Sequence, residues 1–179
     1  MKKSHYSTLA LCMFFLFAAS TVNAQRSKKI PKVLKTGETF KCADFEPQTD
    51  NGIPNYLIIK ASRNTDAVVR LIDSKTDKCI RYVFINQGES YKIEHIPEGK
   101  YYIKVGLGKD WAFADTTQQC AGGFRQNPIY KKMTKTFIFE MKQHRNSTDV
   151  PSYELDLDMT VTKGKEVKET LISEKEFNK

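Results

Sequence analysis

Gly99-Lys100 and Gly108-Lys109 are the first residues to test for chemistry, since a Gly-Lys pair closes the loop that wraps nucleotide phosphates. Such a loop needs G-x-x-x-x-G-K-[ST], because its backbone N–H groups cradle the phosphates while the hydroxyl holds Mg²⁺. Asp110 follows one pair and Tyr101 the other, and Ile103 stands five residues before Gly108 where the first glycine belongs. Both pairs fail, and Gly99 and Gly108 read as turn residues bracketing a strand.

The other reactive side chains are few. Once a leader is removed, the cysteines are Cys42, Cys79 and Cys120 and the histidines His95 and His144. No C-x-x-C or H-x-x-x-H spacing occurs, so no metal ligand set and no cofactor is expected. A nucleophilic cysteine would need one of these histidines beside it, and nothing local brings them together. Glu154, Asp156 and Asp158 alternate along one stretch, which puts three carboxylates on one strand face. Ca²⁺ favours several carboxylate oxygens, but an outward acidic face that discourages edge pairing explains the pattern more simply. Asn146-Ser147-Thr148 has the form of a glycosylation sequon.

Aromatic residues give the stronger candidate. Trp111, Phe113, Phe124 and Tyr130 lie between Gly108 and Met133, a stretch without clear periodicity that carries Gly122-Gly123 after Cys120. A long aromatic loop on a rigid frame suits a protein- or glycan-binding rim. The competing expectation is that Trp111 and Phe113 fold back and plug the open end of the frame.

The frame itself is written in alternation. Expected strands cover Tyr56–Lys60, Ala67–Ile72, Cys79–Ile85, Tyr91–Glu94, Tyr101–Leu107, Thr134–Met141 and Ser152–Val161, with polar turns between the early ones. Tyr101, Ile103, Val105 and Leu107 share one face, with Tyr102 and Lys104 on the other. About seven strands predict an all-β, antiparallel, two-layer sandwich with one long irregular loop. If the five strands up to Leu107 run as an up-down meander, Cys42 and Cys79 fall at the same end. That favours a Cys42–Cys79 disulfide, with Cys120 left over.

Compartment and partners follow from the termini and the charge. Lys2 and Lys3, the apolar run Leu9–Ala19 and Val22-Asn23-Ala24 form the three parts of a secretory signal peptide. Residues 1–24 are therefore expected to be removed and the product exported, periplasmic or extracellular, with no transmembrane anchor. Residues 25–54 read as a basic N-terminal arm and lead-in, 55–162 as the sandwich domain, and 163–179 as a charged tail. In that tail Ser173 to Glu176 has a capping-box pattern, which predicts a frayed end or a marginal helix. The formal net charge is +8. Most of its excess sits on Arg26, Lys28, Lys29, Lys32, Lys35 and Lys41 against Glu38 alone, while Lys2 and Lys3 leave with the signal peptide and acids and bases cancel across residues 42–162. A solvated basic arm rather than a nucleic-acid face is the expectation.

The run from Val68 to Val105 resembles the carboxypeptidase regulatory-like, or prealbumin-like, β-sandwich module of secreted bacterial proteins. The likeness rests on Val69-x-Leu71-x-Asp73, on Gly88-x-x-Tyr91 and on Ile96-Pro97-x-Gly99-x-Tyr101. The chain departs from that family in lacking its opening glycine-rich strand and Pro-Leu-x-Gly-Ala step, and in carrying the CAGGF segment. The resemblance implies that these positions mark a strand, a turn and the return strand of a sandwich core, in a small secreted protein with this module embedded. The leading expectation is a non-enzymatic binding module acting through residues 108–133. Two rivals are a structural envelope or assembly subunit, and a small hydrolase-like enzyme using Cys120 or the acidic strand.

Overall fold

The computed structural model describes residues 30–31, 33–40, 45–113, 121–158, 161–162, 165–166 and 169–179. The expected signal peptide, Cys42 and Cys120 lie outside the described residues. The chain forms an all-β sandwich, as alternation predicts.

Fifteen elements follow in order: β1 (Ile30–Pro31), β2 (Tyr56–Lys60), β3 (Asp66–Asp73), β4 (Cys79–Ile85), β5 (Ser90–Glu94), β6 (Gly99–Phe113), β7 (Gly122–Met133), β8 (Phe137–Phe139), β9 (Lys142–Gln143), β10 (Thr148–Asp149), β11 (Tyr153–Asp156), β12 (Val161–Thr162), β13 (Lys165–Glu166), β14 (Glu169–Leu171) and the helix α1 (Glu174–Phe177). The larger sheet runs β14-β7-β6-β3-β4, and β1 and β8 add themselves to the two ends of β6. The smaller sheet is β11-β2-β5, with β11 parallel to β2 and β5 antiparallel to it.

The early strands do not form a meander. β2 and β5 pair in the small sheet while β3, β4 and β6 pair in the large one, so between β2 and β6 the chain crosses between layers three times. Each layer thereby lays an apolar face on the other. Leu57, Ile59, Ile93 and Leu155 of the small sheet meet Val69, Leu71, Ile103, Val105, Phe137 and Phe139 of the large one, all buried. Tyr101, Ile103, Val105 and Leu107 share this core, as period two requires.

The motif residues behind the family resemblance do structural work at the seam. The Tyr101 hydroxyl donates to Pro97 O at 3.0 Å, closing the turn into β6. Ile96 is fully buried, and the Asn55 side chain holds its backbone from both sides at 2.7 Å. The buried Arg81 donates to Ile80 O at 3.0 Å and to His95 O at 3.2 Å.

What alternation does not convey is that the large sheet is covered on its second face as well. Val68, Tyr82, Phe84, Trp111, Phe113, Phe124 and Tyr130 form a second core there with Leu34, Phe40 and Phe177. Leu34 and Phe40 come from the lead-in, which also caps the free edge of β4: Gly37 N donates to Phe84 O at 2.9 Å, and Thr39 bridges Val83. Phe177 comes from α1 and is fully buried. Phe177→Ala is expected to cost about 3–5 kcal/mol by large-to-small truncation in a packed core, whereas Ile138→Ala, at an exposed position, stays within about 0.5 kcal/mol. Urea unfolding of the two variants checks the contrast.

Candidate functional site

The stretch expected as an irregular aromatic loop is the far half of a long hairpin. β6 and β7 stay paired from Lys104↔Lys132 to Phe113↔Gly122, with the register shifting between Leu107 and Lys109. Asp110 (φ 60°) and Asn127 (φ 48°) stand in the left-handed region near this shift, a conformation that Asp and Asn tolerate better than other side chains. Arg125 reaches across to Asp110 at 3.4 Å. Beyond the kink the faces exchange. Trp111 and Phe113 would share the inner face with Leu107 by strict alternation, but both lie in the second core.

The four expected binding residues are therefore brought together, but inward. Trp111 and Phe124 pack edge to face with centroids 5.0 Å apart, and Phe40 meets Trp111 at 5.6 Å and Phe113 at 5.5 Å. The Tyr130 hydroxyl accepts from Phe124 N and donates to Glu174, each at 3.1 Å. All four aromatics are less than a tenth exposed and belong to the core on the outer face of the large sheet. Gly122 explains itself here: a Cβ at that position would sit 2.5 Å from the Trp111 indole. Gly122→Ala should overpack this corner and cost about 1–3 kcal/mol, measured by thermal unfolding with Trp111 fluorescence as the local probe.

The remaining candidates are likewise engaged in structure. Glu154 ion-pairs with Lys60, Asp158 accepts from Arg63 N at 3.2 Å, and Asp156 accepts from Asp158 N at 2.9 Å. Among the described residues no three His, Cys, Asp or Glu side chains converge as metal ligands. Cys79 is a free thiol whose Sγ donates to Arg81 O at 3.0 Å, and burial pushes its pKa up, away from thiolate reactivity. Its expected partner Cys42 lies outside the described residues. His95 sits with Nδ1 3.0 Å from Ile53 O, and His144 pairs with Asp149 at 2.9 Å. Among the described residues no helix is long and apolar enough to cross a membrane.

A feature that one-dimensional reading misses lies across the strands. Register sets Arg70 opposite Lys104, and Lys104 opposite Lys132, a row of three cations on β3, β6 and β7. Neighbouring strands are about 4.8 Å apart, so the row packs like charges side by side, which is destabilising unless they are answered. The C-terminal residues answer them. Arg70 donates to Phe177 O and lies 5.1 Å over the Tyr82 ring, while Lys104 Nζ donates to Glu176 O at 2.8 Å. Lys132 rests 4.3 Å over the Tyr102 ring.

Several short contacts hold α1 in place to do this. Ser173 caps it by accepting from Glu176 N at 3.1 Å, as the capping pattern predicts. The Asn178 amide pairs with both backbone groups of Gly122, at 3.1 and 2.9 Å.

Between the row and the helix opens a polar cleft of about 410 Å³, lined by Lys104, Lys132, Lys175 and Lys179 together with Asp77, Tyr102, Ser173 and Glu176. None of the four lysines has an ion pair with a carboxylate among the described residues. Burial, then the neighbouring Arg70, holds the Lys104 ammonium below the usual lysine range. Burial and the bond to Asp77 push the Tyr102 phenol up to about 12.

No protein-family model matches this chain, and no match is found among curated proteins or solved structures.

The depressed Lys104 pKa fixes the sign of a pH effect. Between its folded value and the ordinary lysine value the unfolded chain binds more protons, so this group makes stability rise with pH. At neutral pH the ammonium is charged in both states and its burial cost is present in full. Lys104→Met lacks that cost. Its stability relative to the parent is therefore greatest near neutrality and shrinks as pH climbs towards the ordinary lysine value. Urea titrations of both proteins across that range, compared as differences so that the tyrosines cancel, test this; a pH-independent difference refutes it.

Proposed function

We propose that the protein is an exported, non-enzymatic β-sandwich that binds a protein or glycan partner, and that its contact surface is the lysine-lined cleft between β6, β7 and α1. The observation that carries this reading is that cleft: four lysines without carboxylate partners among the described residues, mounted on paired strands and a docked helix. Rigid scaffolds that present unneutralised charge steer and hold oppositely charged partners. The signal-peptide pattern of residues 1–24 supports export, and the resemblance to prealbumin-like modules supports a binding rather than a catalytic role. With Trp111, Phe113, Phe124 and Tyr130 buried, the contact moves from the aromatic residues to the cationic ones.

Retention of the processed chain on envelope material from producing cells, followed as salt is raised, tests the proposal. The double substitution Lys132→Glu and Lys175→Glu, with the fold verified by circular dichroism, is expected to weaken retention about tenfold or more, since each lost charge-assisted contact is worth about 1.5–3 kcal/mol. Trp111→Phe, which keeps an aromatic in the core, is expected to leave retention intact. Unchanged retention in the double variant would refute the cleft as the contact surface.

A further inference from the structure

We infer that the cleft is a phosphate site, taking the dianion either free or as the monoester of a small molecule or glycan. The inference rests on the reading of the cleft as the contact surface and names what that surface recognises.

Charge comes first. Of the side chains lining the cleft, four are lysines and two, Asp77 and Glu176, are acids, which leaves two positive charges unmatched. Asp77 is also occupied, accepting from the Tyr102 hydroxyl at 3.2 Å. A phosphate monoester carries a charge of about −1.5 to −2 near neutral pH and three acceptor oxygens. It therefore matches the cleft in charge and exceeds a carboxylate in acceptor number.

Donor supply comes second. An ammonium has three N–H groups and no acceptor. Lys104 directs one of its own to Glu176 O, and no second acceptor for it occurs among the described residues. Lys132 has only the Tyr102 ring beneath it among those residues, and a ring face leaves its N–H groups able to bond elsewhere. The pair stand directly opposite on neighbouring strands and both line the cleft, where one tetrahedral anion would accept from both. Lys175 and Lys179, on and just after α1, supply charge from the rim.

Electrostatic need comes third. Lys104 lies between Arg70 and Lys132 in the cross-strand row and is only 6% exposed. An ammonium so placed is partly withdrawn from water while still lining the cleft, so an anion bound against it gains more than at an open surface. Lysines bind phosphate as point charges, without the planar fork that arginine brings to carboxylates.

Isothermal titration and ¹H–¹⁵N NMR on the processed chain test the assignment, with inorganic phosphate, glucose 6-phosphate and acetate as separate probes. Saturable binding of either phosphate probe is expected, with shifts at Tyr102, Lys104 and Lys132, and with acetate at least about tenfold weaker. Binding of the free ion alone assigns the cleft to inorganic phosphate, and binding of the sugar phosphate assigns it to esters. Lys132→Gln, at a half-buried position and with the fold verified by circular dichroism, should weaken phosphate about tenfold, and Lys104→Met should abolish it. No saturable phosphate binding, acetate binding as tight as phosphate, or shifts confined to other regions would overturn the inference. If phosphate fails while envelope retention still depends on Lys132 and Lys175, the contact surface stands and only its ligand class falls.

Discussion

The row Arg70–Lys104–Lys132 sets the terms for the rest of the molecule. Three cations on adjacent strands, on a sheet face that is otherwise Val68, Tyr82, Phe124 and Tyr130, would repel one another and face an apolar surface with nothing to accept from them. The backbone carbonyls of Glu176 and Phe177 supply the acceptors, and the Phe177 ring completes the apolar cover. A single four-residue helix thus performs two tasks that must coincide in space. That is why so short an element, which would not form alone, is anchored by Ser173, by Asn178 against Gly122, and by the Glu174–Tyr130 bond.

The hairpin of β6 and β7 makes this possible. A flat strand of fifteen residues would carry its odd-numbered side chains onto one face from Tyr101 to Phe113. The kink around Asp110 and Asn127 turns the distal half over, so that one strand feeds the inter-sheet core with Ile103 and Val105 and the outer core with Trp111 and Phe113. Both faces of the large sheet carry an apolar core as a result, and the outer one takes in Leu34 and Phe40 from the lead-in and Phe177 from α1.

Much of the frame was legible because half-buried strands must alternate. The bounds of β2 and β4, the inner face of β6 and the pairing of Phe137 with Phe139 all follow from period two. Legibility fails where a local conformation breaks the period. Asp110 and Asn127 look like ordinary polar loop residues, so 108–133 reads as irregular although most of it is strand. It fails again where pairing is non-local. Nothing in one dimension says that β2 pairs with β5 rather than β3, and the meander that follows from adjacency is the natural error. The cation row is invisible for the same reason. Arg70, Lys104 and Lys132 are three scattered basic residues until register aligns them.

That alignment also changes how the protein's charge is understood. The excess of basic residues on the arm from Arg26 to Lys41 is conspicuous but local, whereas the body of the chain is balanced overall and polarised in space. A balanced composition conceals a cleft in which four lysines face two acids. Gathering them costs folding free energy, since Lys104 is held away from water beside Arg70. The cost is recovered only when an anion occupies the cleft, so on the proposed reading ligand binding and fold stability are linked through the same ammonium. The cover formed by α1 is common to both, because the helix that supplies Lys175 to the rim also supplies the carbonyls that hold Arg70 and Lys104 in line. A loss of α1 would therefore remove the ligand's wall and the cations' acceptors together, which makes the C-terminal residues part of the site and not an appendage to it.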